Sequence, residues 1–309
     1  MDQLGAMRAF ARVVEVGSFT RAAELLDMPK ATLTKLVQGL EAHLRTQLLH
    51  RTTRRVNVTP DGAAYYERAT RLLADLAELD GSMTQSQTSP AGKLRVDVSA
   101  AVARLCIVPA LHKFHKRYPD IHIDLGVTDR PVDLIAENVD CVIRAGPLAS
   151  QSLIARRIAD LEFVTCASPG YIEQRGEPRH PQDLEKTHFV VGYFSTRTGR
   201  PFPFTFSSRG ERLEFFGRSL ISVNDGNAYV AAGLAGLGVV QAPRFMLRRE
   251  MESGALRPLL TEWTTDNLPL YVVYPPNTHL SNRLRVFVDW VADLFATDET
   301  IQRRSARAG

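Results

Sequence analysis

The chain has 309 residues, 44% hydrophobic and 23% charged, a balance that supports packed cores, excludes disorder and collagen-like repeats, and at this length points to two or three domains. It has no apolar run long enough to span a bilayer, and its first residues, MDQLGAMRAFARVVE, are charged where a signal peptide would be apolar. A cytoplasmic protein without a membrane partner is therefore expected. The net charge of +4 belongs to residues 1–60, which hold nine basic and five acidic residues. The other 249 hold 29 of each sign, so a small basic module suited to a polyanion precedes a larger neutral one.

Leu4, Met7, Phe10, Ala11 and Val14 recur at helical spacing and predict a helix over residues 3–16, closed by Gly17. Ser18 or Thr20 caps a short second helix carrying Ala22, Ala23, Leu25 and Leu26, which ends near Asp27-Met28-Pro29. A third helix places Leu33, Leu36, Val37, Leu40 and Leu44 on one stripe and leaves Thr34, Lys35, Gln38 and Glu41 largely off it. This is a helix-turn-helix pattern, although a plain three-helix bundle with a solvated face shares it.

Residues 48–58, LLHRTTRRVNV, read as a hairpin whose tip presents Arg51, Arg54 and Arg55. Such a wing can lie against phosphate or enter a narrow minor groove while the neighbouring helix occupies the major groove. Lys30, Thr32, Thr34, Lys35 and Gln38 are side chains suited to that helix, for base edges or phosphates.

Thr59-Pro60-Asp61-Gly62 combines a capping hydroxyl, a proline at the first helical position and an early acid, so a helix starts here and is expected to run to about residue 87. At about 1.5 Å per residue it spans ~40 Å. Tyr65, Ala69, Leu72, Leu76, Leu79 and Met83 form a heptad seam along it. The seam either packs on its own domain or pairs two chains; its narrow stripe and polar flanks favour a dimer. The stretch from Gln85 to Gly92, QSQTSPAG, is the clear linker.

From Lys93 onward strands and helices alternate. Strands are expected at Leu94–Val98, Ile121–Val127 and Cys141–Arg144, with helices at Arg104–Tyr118 and Val132–Asn138. A second set covers Phe163–Ala167, Phe189–Tyr193, Ser219–Val223, Asn227–Leu237, Val239–Gln241 and Pro243–Glu252, followed by a strand at Leu270–Val273 and a helix at Asn282–Phe295. The alternation predicts an α/β fold with a mainly parallel sheet, in two small lobes.

The chain resembles the LysR-type transcriptional regulators of bacteria over nearly its whole length. The matching stretches are GSFTRAAELL, ATLTKLVQGLEAHLRTQLLHRTTRRVNVTPDG, HKFHKRYPDIHIDLGVTDRPVDLIAENVDCVIRAG, SLIARRIA, AAGLAGLGVV and LYVVYPPN, in matching order and spacing. The resemblance implies an N-terminal all-α winged helix-turn-helix (1–59), a dimerising linker helix (60–88), a hinge (89–92) and an α/β two-lobed domain like a periplasmic binding protein (93–300). The first lobe would take residues 93–162 and 268–300, the second 163–267, and a basic tail 301–309 would follow. Expected partners are double-stranded DNA carrying an interrupted palindrome, a small-molecule effector between the lobes, further copies of the chain as a dimer or tetramer, and RNA polymerase.

Carried onto this sequence, the resemblance puts Thr34 and Lys35 where relatives have a Ser-Arg pair, and Arg51 and Arg54 in the wing. Ser18, Lys30, Thr32, Thr34, Lys35, Gln38, Arg51, Arg54 and Arg55 are the residues expected to face DNA. Two positions depart from the pattern: Lys30 replaces a frequent Gln, and Arg45 stands where Gly would suit a left-handed helix cap. The implied effector residues are Ser99, Ala100, Ala101, Thr128, Tyr193, Asn224 and Asp225. Helix starts facing the cleft would favour an anion, yet Ala101 replaces a common hydroxyl. Either the ligand is less polar, or Ser99 binds it, or the chain answers to no small molecule.

No cofactor, metal or catalytic set is expected. Gly233, Gly236 and Gly238 end a helix instead of opening one. His112 and His115 suit a solvated helix face, and Cys106, Cys141 and Cys166 lie apart in apolar contexts without metal-ligand spacing. Two rival readings stay open at this point: an enzyme tethered to a DNA-binding domain, and an architectural protein that coats DNA without sequence preference.

Overall fold

The computed structural model describes residues 2–51, 56–83, 89–134, 136–146, 153–276 and 281–297. Arg54 and Arg55 at the wing tip, the expected end of the long helix at 84–87, and the basic tail 301–309 lie outside these residues. The chain divides into two compact units, Met1–Ser89 and Pro90–Gly309.

In the N-terminal unit, α1 (Gln3–Val16) ends at Gly17, whose φ of 65° is left-handed. The second helix, α2 (Phe19–Leu25), is capped by the Ser18 hydroxyl, which accepts from the Arg21 N–H. The turn into α3 (Lys30–Leu44) reverses direction at Asp27, also left-handed with φ 49°. There the Met28 N–H reaches back to the Ala23 carbonyl at 3.1 Å, closing the end of α2. Ala9, Phe10, Val13, Ala22, Leu33, Val37 and Leu40 share one core with Leu48 and Leu49, which anchor β1 (Leu49–Arg51). Burying each of the large apolar side chains contributes roughly 1.5–3 kcal/mol. The hairpin partner β2 (Val56–Val58) pairs antiparallel with β1, and α4 (Pro60–Met83) follows.

The start of α4 is built as its sequence suggests. Thr59 is buried, accepts from the Gly62 N–H at 2.8 Å and donates to the Gln47 carbonyl, also at 2.8 Å. Gly62 is required by close approach: a Cβ there would sit 2.0 Å from the Leu48 carbonyl oxygen.

In the C-terminal unit the elements run in chain order. They begin with β3 (Gly92–Val98), α5 (Ala100–Val102), a π-helical turn at Ala103–Ile107, α6 (Val108–Arg117), β4 (Ile121–Val127), β5 (Cys141–Ala145) and β6 (Ile154–Leu161). The second set is β7 (Phe163–Ala167), α7 (Pro169–Arg175), α8 (Pro181–Lys186), β8 (Val190–Tyr193), β9 (Phe204–Ser208), β10 (Glu211–Phe215), β11 (Ser219–Val223), α9 (Gly226–Leu234), β12 (Val240–Pro243), α10 (Arg244–Glu252) and β13 (Arg257–Pro258). The chain ends its described part with β14 (Leu268–Tyr274) and α11 (Asn282–Thr297).

A five-stranded sheet of order β4-β3-β5-β14-β6 carries one core, closed by Phe114 of α6 and Phe287, Val291 and Phe295 of α11. The smaller sheets β12-β7-β13, β8-β11 and β9-β10 carry separate clusters around Val191, Tyr229, Val240 and Leu247, and around Phe204, Phe206 and Phe215. We refer to these as the large-sheet and small-sheet halves.

Three expectations are corrected here. The large sheet is mixed, because β14 lies between β5 and β6 and runs antiparallel to both; only β3 pairs parallel, with β4 and β5. Among the described residues of Val132–Asn138 no helix forms: irregular chain leads into turns, where the Asp133 Oδ1 accepts from the Ala136 N–H and Asn138 is left-handed with φ 58°. The helix expected at Arg104–Tyr118 instead starts at Ala100 and passes through the π-helical turn. The glycines of AAGLAGLGVV do end a helix. Gly236, with φ 75°, lets the Leu237 N–H bond the Ala232 carbonyl at 3.1 Å.

Candidate functional site

In the N-terminal unit, α3 has two distinct faces. Leu33, Val37 and Leu40 are fully buried, and the helical period places Lys35 and Gln38 on the opposite side, both exposed. Lys30 and Thr32 are also exposed, at the first turn. Thr34 is half-buried and its hydroxyl donates to the Lys30 carbonyl at 2.8 Å, so its proton is already engaged by the helix backbone. Ser18 is engaged in the cap of α2. Arg51 ends β1; Arg51 and the tip residues Arg54 and Arg55 contribute no described side chain.

The helix and the wing are tied by a residue that the apolar stripe leaves unremarked. Glu41 projects from α3, and its Oε1 accepts from the Leu48 N–H at 2.9 Å and the Leu49 N–H at 3.1 Å, where β1 begins. Four residues on, α3 closes with Arg45 in the left-handed region, φ 52° and ψ 34°, the Thr46 N–H bonding the Glu41 carbonyl at 3.1 Å. This is the helix end that ordinarily favours glycine.

Along α4, Tyr65 stacks edge-on against Phe10 of α1 at 5.8 Å and Ala69 is buried, so the first part of the heptad seam belongs to the unit's own core. Leu72 is 56% exposed and Leu76 half-buried. The side chains of Leu79 and Met83 are outside the described set.

In the C-terminal unit, most of the expected ligand residues gather where the two halves meet. Ser99 precedes α5, is half-buried and makes no capping bond with its hydroxyl. Ala101 is 6% exposed and packs with the small-sheet core, close to where a Cβ on Gly226 would lie. Its lack of a hydroxyl is thus matched by an apolar contact. Thr128 accepts the Arg130 N–H in a tight turn, which aims the next residue, Asp129, at the seam.

Asp129, a neighbour of Thr128 and so within the expected ligand region, carries several contacts here. Its Oδ1 accepts from the Ala100 N–H at 3.1 Å, and it lies close enough to Asp225 for the two carboxylates to interact electrostatically. Burial, reinforced by the Asp225 carboxylate, holds Asp129 above the usual carboxyl range. Asp225 caps α9, accepting from the Ala228 N–H at 2.7 Å. Tyr193 donates to the carbonyl of Asn224 at 3.2 Å and meets Tyr229 edge-on; burial, then the charges of Asp129 and Asp225, push its phenol up to about 12. Of the helix-start N–H groups anticipated for an anion, that of Ala100 is bonded to Asp129 and that of Ala228 to Asp225.

A second acid lies nearby in the large sheet. Asp97 on β3 is buried and paired with Arg144 of β5; burial nevertheless raises its carboxyl, against the pull of Arg144. Arg130 is held by both oxygens of Glu137. Elsewhere, burial pushes Cys166 up to about 12 and Cys141 well above the usual thiol range, which leaves both poor nucleophiles. His112 and His115 bond to backbone carbonyls of their own helix. Among the described residues, no three His, Cys, Asp or Glu side chains are grouped to hold a metal.

Comparison with known proteins accounts for both units. Residues 4–63 match the bacterial regulatory helix-turn-helix proteins of the lysR family, and residues 87–296 match the LysR substrate binding domain. The chain belongs to the LysR family of transcription regulators. It is 40% identical over 292 residues to an HTH-type transcriptional regulator of Escherichia coli K12, covering 94% of this chain and 97% of that one. An HTH-type transcriptional repressor of Pseudomonas aeruginosa is 38% identical, with 98% of this chain and 95% of the relative covered. Among solved structures, CrgA, a LysR-type transcriptional regulator from Neisseria meningitidis, aligns with a TM-score of 0.60 at 32% identity, over 94% of this chain and 98% of its own. As in its family, this LysR regulator joins a DNA-binding helix-turn-helix to an effector-binding domain. Among the described residues, no helix is long and apolar enough to cross a membrane.

Proposed function

We propose that this LysR regulator reads an interrupted palindrome as a homo-oligomer, with α3 in the major groove. Lys35 and Gln38 reach base edges, and Thr34, its hydroxyl proton held by the Lys30 carbonyl, offers its methyl to a thymine; Ser18, Lys30 and Thr32 fix the helix against the sugar-phosphate chain; Arg51, Arg54 and Arg55 follow the adjacent phosphates or minor groove. The observation that carries this reading is the two-faced α3, with Lys35 and Gln38 exposed directly opposite Leu33, Val37 and Leu40. Leu72, exposed on α4, supports chain pairing through the later part of the seam, with Leu76, Leu79 and Met83. Two such chains place their helices about 34 Å apart, one turn of DNA.

The chain acts as a cytoplasmic regulator and not as an enzyme, and RNA polymerase is its further partner at the promoter. A small effector is received between two lobes, 93–162 with 268–300 and 163–267, near Ser99, Ala100, Ala101, Thr128, Tyr193, Asn224 and Asp225. It works by shifting lobe closure and thereby the spacing of the DNA-binding modules.

Quantitative footprinting and binding across a salt series test the DNA assignment. Lys35→Ala and Gln38→Ala lower the ratio of operator to random-DNA affinity, each lost base contact weakening operator binding by about 1–3 kcal/mol. Arg51→Ala weakens both more evenly and reduces the salt slope by about one unit. An unchanged specificity ratio in both helix variants removes α3 as the reading element, and uniform coverage of DNA removes regulation in favour of coating.

A further inference from the structure

We propose that Phe189 and the two arginines over its ring, Arg175 and Arg218, form a binding site for a compact oxyanion carrying two or more negative charges. The site lies in the small-sheet half, away from the expected effector residues, and does not depend on the effector reading.

The ring is fixed from beneath. Phe189 leads into β8, and one buried hydroxyl clasps its backbone: that of Tyr171 on α7 accepts from the Phe189 N–H at 2.8 Å and donates to the Phe189 carbonyl at 3.1 Å. The same hydroxyl lies 3.2 Å from Nδ1 of His188, and Tyr171 and His188 are each 4% exposed. Strands β8 and β11 run parallel, and the Val190 N–H bonds the Arg218 carbonyl at 2.8 Å, so the main chain holds Arg218 beside the ring. Arg175 is the last residue of α7. Its guanidinium carbon stands 4.9 Å from the ring centre and that of Arg218 5.1 Å, so the two are at most 10 Å apart.

What these two cations lack is an acid. Four other arginines of this half each hold a carboxylate: Arg212 that of Asp266, Arg244 that of Glu162, Arg248 that of Glu252 and Arg257 that of Glu177. Among the described residues, neither Arg175 nor Arg218 is paired with an acid, and both are exposed. Guanidinium groups settle over a ring because its face is negative; its edge is correspondingly positive. An oxyanion at the rim of the half-buried Phe189 therefore meets positive charge from the ring and from both arginines, whose N–H forks are free to hold it. Packing alone accounts for one arginine on a ring. Two like charges sharing it without an acid make the arrangement that an anion completes.

The site is distinct from the expected effector position. Phe189 and Arg218 precede β8 and β11, whereas Tyr193, Asn224 and Asp225 stand at or beyond the other ends of these strands. Four steps along extended chain separate Phe189 from Tyr193 by ~13 Å.

Arginine footprinting of the full-length protein tests the assignment. Phenylglyoxal modifies accessible guanidinium groups, and mass spectrometry reads the rate at each one. Tripolyphosphate and citrate serve as separate probes, with sodium chloride at matched ionic strength as the reference, so that general screening is not read as protection. At a probe concentration about four times the dissociation constant, modification of Arg175 and Arg218 slows about fivefold. Arg209, exposed at the turn between β9 and β10, keeps its rate. Protection by tripolyphosphate alone assigns a phosphate ligand, by citrate alone a carboxylate, and by both the shared oxyanion chemistry. In Arg175→Gln and in Arg218→Gln the loss of one charge-assisted contact weakens binding about tenfold or more, so protection of the remaining arginine falls to about 1.4-fold or less. Unchanged rates at Arg175 and Arg218 under both probes overturn the proposal, as does full protection of one arginine in a folded chain that lacks the other. The wild-type comparison decides the matter even where a variant folds poorly.

Discussion

Glu41 offers the sharpest test of how the recognition helix and wing hold a common frame. Its single carboxylate oxygen takes two backbone N–H groups, at 2.9 and 3.1 Å, at the start of a strand whose Leu48 and Leu49 are each 1% exposed. A hydrogen bond to a charged group contributes about 1.5–3 kcal/mol net, and a buried donor left unpaired costs about 1–3 kcal/mol. Both bonds are only partly buried, so Glu41→Ala is expected to cost about 2–4 kcal/mol. Glu41→Gln keeps an acceptor in place and loses the charge assistance alone, about 1 kcal/mol. In a unit of this size 1 kcal/mol corresponds to roughly 4–8 °C, so calorimetry of the full-length protein should show the N-terminal transition falling by about 8–30 °C in the alanine variant. The same variant should bind operator and random DNA more weakly, because Arg51 and the wing tip lose their fixed offset from α3. If Glu41→Ala unfolds within about 0.5 kcal/mol of the wild type, the tie is ornamental to stability and the reasoning fails.

Three further outcomes follow from individual contacts. Arg45→Gly relieves a left-handed conformation that costs a side-chain-bearing residue about 1–2 kcal/mol, against a glycine penalty of about 0.5–1 kcal/mol. Thermal unfolding of the N-terminal unit should therefore rise by a few degrees, and a fall would mean that the arginine makes a compensating contact. Arg144→Gln leaves Asp97 buried beside a neutral group, at a cost of about 2–4 kcal/mol, and raises its carboxyl further. Since a raised carboxyl stabilises the fold below the ordinary range and loses that contribution as pH climbs through the raised value, denaturant midpoints of the variant should improve on acidification more than those of the wild type. Equal pH dependence would sink that account. Leu72→Glu should yield monomers with poor operator affinity in sedimentation and binding assays, whereas intact oligomers would assign pairing elsewhere.

Elements whose signal is local were legible. The helix starts at Thr59-Pro60 and the stop at Gly17 depend on residues within a turn of each other, and the structure places them as read. The hairpin β9–β10 was missed although its period-two phenylalanines, Phe204, Phe206 and Phe215, stack into one face. Its turn carries Arg209 and Gly210, both with positive φ, where an Asn-Gly pair would have announced it. The short helices α7 and α8 carried usable marks in Ser168-Pro169 and His180-Pro181, each a cap followed by proline. Other features are tertiary in origin. The resemblance alone assigns residues 268–300 to the first lobe; no local residue near Leu268 indicates that the strand pairs antiparallel between β5 and β6, and nothing in Thr128-Asp129-Arg130 indicates that its acid comes near Asp225. Glu41 stood off the apolar stripe and so read as solvated, because its partners are backbone groups that leave no trace in side-chain patterns.

The place of β14 has a consequence for the order in which the protein comes into being. The N-terminal unit has all its residues by Ser89, while the strand that joins β5 to β6 in the large sheet, and the helix that packs on that sheet, arrive only from Leu268 onward. During synthesis the DNA-reading part can thus fold long before the regulatory part is able to close its sheet. A nascent or prematurely terminated chain would carry a finished reader beside an open-edged, aggregation-prone body. Translation to the far end of the gene is therefore a condition for control as well as for stability.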